Sequence, residues 1–134
     1  MRLLGITDCV NTCDCCGKTD LKCTVAFEQE DSNIVYYGRI CAQRWYGKAQ
    51  KVINGELRTI KDNANSEASR LYRSDPIYAE YEALLAKLNQ QNLMFTERWA
   101  ILQPISQLNE AKRKEIAELI ATKYMLQTTD IYVR

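Results

Sequence analysis

The cysteines constrain this chain more than any other feature. It has six of them in 134 residues, and no histidine. Cys9, Cys13, Cys15, Cys16 and Cys23 fall in the first 23 residues, Cys41 stands further on, and residues 42–134 contain none. A disulfide scaffold would spread its cysteines along the chain, whereas clustered thiols in a reducing compartment ligate metal. The missing histidine removes Ser-His-Asp and Cys-His catalysis, the imidazole proton shuttle, HExxH metalloproteases and Cys2His2 fingers.

Cys13-Asp14-Cys15-Cys16-Gly17 contains C-x2-C-G. Two thiolates on such a turn converge on a tetrahedral ion, and the glycine admits the backbone conformation that aims N–H groups at the sulfurs. Cys41 lies where a helix is expected to begin, and the positive end of a helix favours a thiolate. Cys13, Cys16 and Cys41 are therefore the expected ligands of a zinc ion. A helix supplying two ligands as C-x2-C would need a cysteine where Gly38 stands. Cys23 or Cys9 is the candidate fourth ligand, although a regular hairpin sets both on the order of 13 Å along the chain from the turn. Cys15 sits inside the turn with its side chain expected to point away, and Asp8, Asp14, Asp20 or water are the remaining options. A three-ligand zinc holding water is chemically capable of hydrolysis. No general base accompanies it, so the protein reads as a non-enzyme, with a small zinc or thiol enzyme as the last alternative.

The rest of the pattern predicts an α+β fold in two parts, a hairpin–helix module over 1–55 and a mostly helical segment over 56–134 packed with it as one unit. Leu21, Cys23, Val25 and Phe27 alternate at strand period, residues 28–33 form a polar turn, and Ile34–Tyr37 return. Cys41, Trp45, Ala49 and Val52 form one helical stripe, with Asn54-Gly55 as its stop. Residues 54–69 read as a polar loop. Asp75 and Pro76 open a helix carrying Ile77, Tyr81, Leu84, Leu85 and Leu88. A short helix from Thr96 ends at Pro104. A last helix spans about 109–126, with Ile116, Leu119, Ile120 and Tyr124 inward. Residues 129–133 form a terminal strand that pairs near Leu3–Ile6.

The stretch 13–25 (CDCCGKTDLKCTV) with 36–42 (YYGRICA) resembles a small zinc-finger-like module of phage and bacterial proteins, of pattern C-x2-C-G-x3-L-K-x-T-V…G-x2-C-A. The likeness covers about residues 10–47. It implies a treble-clef-like zinc module and an accessory role, including inhibition of a host protein.

Net charge is +1, but residues 38–61 hold six bases against Glu56 alone. Arg39, Arg44, Lys48 and Lys51 form a basic side that could meet a partner or nucleic acid, with Tyr36, Tyr37, Trp45 and Tyr46 nearby for stacking. Helical spacing instead makes Trp45 and one of each tyrosine pair core residues. Near-neutral total charge favours a protein partner, with nucleic-acid binding through 39–61 as the alternative. No stretch approaches the ~20 apolar residues of a membrane span, and Met1–Asp8 turns polar too soon for a signal peptide. The expected location is cytoplasmic, the host cytoplasm if phage-encoded.

Overall fold

The strand-forming run at residues 24–28 is where the chain builds its sheet. In a computed structural model describing residues 1–134, β2 (Thr24–Glu28) is the centre of a three-stranded antiparallel sheet between β1 (Arg2–Thr7) and β3 (Ile34–Tyr37). Thr24, Val25, Ala26 and Phe27 are all buried, as a middle strand covered on both faces requires. The predicted hairpin is present, but its first strand starts at Thr24, leaving Leu21 and Cys23 in the approach to it. Gln29 donates its N–H to the Asn33 carbonyl at 2.8 Å to close the turn.

Four helices follow: α1 (Arg39–Tyr46), α2 (Gln50–Ser74), α3 (Pro76–Asn89) and α4 (Phe95–Tyr124). No helix is long and apolar enough to cross a membrane. The stripe drawn through Cys41, Trp45, Ala49 and Val52 is cut at Gly47, whose φ of +73° closes α1 with an N–H to the Gln43 carbonyl. Only Cys41 of that stripe is buried; Trp45 and Val52 are exposed. Trp45 is thus not a core residue, whereas Tyr37 is buried and half-buried Tyr46 stacks on Phe27 at 5.0 Å.

The expected loop at 54–69 is helix. Ile53, Leu57, Ile60, Ala64, Ala68 and Tyr72 recur every three or four residues along α2, all buried except half-buried Ile60. That burial outweighs the roughly 1 kcal/mol that an interior glycine costs, so Asn54-Gly55 does not stop the helix. Asp75 caps α3 as expected, accepting the Ile77 N–H at 3.0 Å. Pro104 does not end its helix either. It lies inside α4 on an exposed stretch, where water can satisfy the carbonyl at position 100 that loses its partner. Leu119, expected inward, is exposed, while Ile116 and Ile120 are buried.

Two buried clusters result. One gathers Leu3, Val25, Phe27, Tyr37, Cys13, Cys41, Ile53 and Leu57 beneath the sheet. The other joins Ala64, Ala68 and Tyr72 of α2 to Ile116, Ala117, Ile120 and Ala121 of α4. Ile6 and Ile60 pack against both. Gly5 marks where β1 meets the end of α4: a Cβ there would lie 2.5 Å from the carbonyl oxygens of Tyr124 and Met125. The chain end is not the predicted strand. A 3-10 turn at Thr128–Asp130 leads to a tail whose Ile131 and Val133 are buried. Asn65 holds that tail to α2, donating to the Asp130 carbonyl and accepting the Tyr132 N–H at 2.6 Å. Arg113 fixes its end through the Val133 carbonyl.

Candidate metal centre

Residues 13–18 close on themselves. Gly17 donates its N–H to the Cys13 carbonyl, and Cys13 donates to the Lys18 carbonyl, each at 2.9 Å. Gly17 has φ +75°, a conformation that glycine adopts without steric cost. Asp14 ties the turn to β3: its N–H donates to the Tyr36 carbonyl and its carboxylate accepts the Tyr36 N–H, both at 2.8 Å. β3 then passes through Gly38 into α1, whose first turn carries Cys41. A Cβ at position 38 would approach Leu21 Cδ1 at 3.3 Å and Cys13 Sγ at 3.9 Å, so the bare backbone lets strand and turn close together.

The outcome is that the Cys13, Cys16 and Cys41 sulfurs lie within 4.8 Å of one another. Zinc–sulfur bonds of about 2.3 Å set tetrahedral sulfurs about 3.8 Å apart, within a small rotamer change of this spacing. The three residues fit a metal ion, and an all-thiol donor set suits a soft or borderline one. Burial pushes the Cys13 thiol up, but N–H groups of Cys16, Gly38 and Cys15 aimed at its sulfur overcome this and bring it down to about 7. Cys41 moves the other way, pushed up to about 12 by burial and then by the thiols of Cys13, Cys16 and Cys15, which hold its proton. Within this hydrogen-bonded group the backbone N–H groups favour the charged form at Cys13 over Cys41. A coordinated ion would take the place of that proton.

The other cysteines stand outside this group of three. Cys9 is exposed just beyond β1, and Cys23 is half-buried just before β2. Cys15 is exposed, and its sulfur accepts the indole N–H of Trp45 at 2.9 Å. Sequence reasoning missed that pairing, although the spacing of Cys41 and Trp45 already put the indole one turn beyond a ligand on the same side of α1.

Of the predicted basic contacts, Arg39 and Arg44 line a cavity of about 440 Å³ together with the three cysteines and Lys18. Lys48 is engaged elsewhere: its ammonium lies 2.6 Å from Glu56 and 4.5 Å above the Tyr46 ring. That contact holds Glu56 below the usual carboxylate range. Lys51 is exposed in the first turn of α2.

Fold and site together define a mostly helical α+β protein with an antiparallel N-terminal sheet and a cysteine cluster able to hold a metal ion. No protein-family model, curated protein or solved structure matches the chain.

Proposed function

We propose that this is a small zinc-stabilised binding protein, non-enzymatic, that acts through a protein partner. Zinc on Cys13, Cys16 and Cys41 would join the N-terminal turn to α1 in a treble-clef-like module, contributing folding energy where the local core is small. The same reading puts the protein in the cytoplasm, a reducing compartment in which clustered thiols bind metal. The accessory or host-inhibitor role rests on the likeness at residues 10–47.

The observation that supports a protein partner is the start of α4. Met94, Phe95 and Trp99, neighbours on one side of its first turns, are each 55% to 80% exposed. Three large apolar side chains exposed side by side form a contiguous apolar patch, and such patches mark protein contacts. Nucleic-acid binding through 39–61 is weakened by the engagement of Lys48 with Glu56.

The test is a partner screen with a double variant, Phe95→Ser with Trp99→Ser, that keeps wild-type circular dichroism. Loss of a stoichiometric protein complex in the variant is expected. An unchanged complex, or nucleic-acid binding that falls steeply with salt and is lost in Arg44→Ala, would overturn the reading.

A further inference from the structure

The cavity beside the three cysteines carries a chemistry that a closed structural site does not need. No aspartate, glutamate or further cysteine lines it; its charged residues are Lys18, Arg39 and Arg44. The chain thus brings only three donor sulfurs within reach of one ion. Cys15 is close to Cys41, yet it is not in the group whose sulfurs lie within 4.8 Å of one another and it does not line the cavity. Four-coordinate zinc with three protein ligands keeps an open position.

Charge indicates what that position would accept. A divalent ion on three thiolates carries one surplus negative charge, against three cationic side chains around the opening. The balance favours an added anion, and guanidinium groups present a donor fork that matches carboxylate geometry. Leu21 and exposed Ile40 also line the cavity, giving an apolar wall for a short carbon stem.

We propose that the metal centre is open and binds a carboxylate from outside the chain, with one carboxylate oxygen on the metal and Arg39 and Arg44 holding the other. The carboxylate displaces bound water, and no bond within the chain changes. This rests on the metal-binding reading but not on the choice of partner. The donor could be a free acid or an acidic side chain of another protein.

The experiment uses the full chain loaded with cobalt(II), titrated with acetate at constant ionic strength. A capped tripeptide with a central glutamate is run beside its glutamine counterpart. Acetate is expected to shift the d–d bands saturably while the thiolate-to-cobalt charge-transfer band keeps its three-sulfur intensity. Arg39→Ala and Arg44→Ala should each weaken acetate binding by about threefold to fivefold. Tighter binding of the glutamate peptide than of acetate assigns the donor to a protein; equal binding assigns it to a free acid. A cobalt spectrum indifferent to acetate overturns the proposal while leaving the metal site standing. So does loss of a quarter of the charge-transfer intensity in Cys9→Ser, Cys15→Ser or Cys23→Ser, because the fourth ligand is then internal. Absence of any charge-transfer band overturns the metal reading and this proposal together.

Discussion

The two buried clusters are nearly equal in size, with nine and ten residues, and they are closed by different means. Between α2 and α4 the helices contribute Ala64, Ala68, Ala117 and Ala121, small side chains that allow close backbone approach, and Tyr72 donates its hydroxyl proton to Asn109 at 2.5 Å. That cluster is complete in apolar contacts and hydrogen bonds. The sheet-side cluster ends in two buried cysteines, Cys13 and Cys41, with backbone N–H groups aimed at the Cys13 sulfur. The lesson is that similar burial can have unequal independence: one cluster closes on packing, the other on a cysteine group able to hold an ion.

The largest expected effect breaks the two apart. If the proposed ion is bound, its chelation, or Cys16→Ser, should strip amide-exchange protection from β2, β3 and α1, a loss of up to about 10 kcal/mol for a structural zinc. Protection along 64–72 and 116–121 should persist. A uniform loss by hydrogen exchange would show that the two clusters unfold as one.

A smaller effect comes from the joint between them. Gly5→Val forces a side chain into the Tyr124 and Met125 carbonyls and should cost about 2–4 kcal/mol in urea unfolding. Gly55→Ala meets nothing within 4 Å and should stabilise by about 1 kcal/mol. Equal effects at the two glycines would refute the close contact of β1 with α4.

The smallest effect belongs to the helical side alone. The Ile77 N–H, and then Lys112, hold the Asp75 carboxyl below its ordinary 3.8. A carboxyl lowered on folding stabilises above its unfolded pKa and loses that contribution as pH falls through its folded one. Asp75→Ala should therefore lower the thermal midpoint slightly near neutral pH and hardly at all near pH 2. A pH-independent difference would assign the effect to packing rather than to the charge.

Much of this architecture was readable where one residue type carries one physical meaning. The Asp75-Pro76 start, the return strand at Ile34–Tyr37 and the trio Cys13, Cys16 and Cys41 are of that kind. The helix over 54–69 was hidden because beyond Leu57 its fully buried positions are Ala64 and Ala68, which have weak hydrophobic signal, flanked by Asn and Ser of middling propensity. Pro104 misled because a proline's penalty depends on whether water reaches the carbonyl it orphans, a property of the surface rather than of the residue. The indole held by Cys15, the cationic cavity and the engagement of Lys48 with Glu56 are tertiary contacts with no periodicity to reveal them.

The contact of Gly5 with the last turn of α4 also sets an order in time. β1 can pair with β2 early, but its second contact, on the end of α4, lies about 120 residues further along the chain. Until residue 125 is free to fold back, Ile6 has no helical end to cover it, while the α3–α4 hairpin, local in sequence, can already form. Long-range closure of this kind is slow in folding, so on the ribosome the β1 face that meets α4 would be covered long after β1 itself is made.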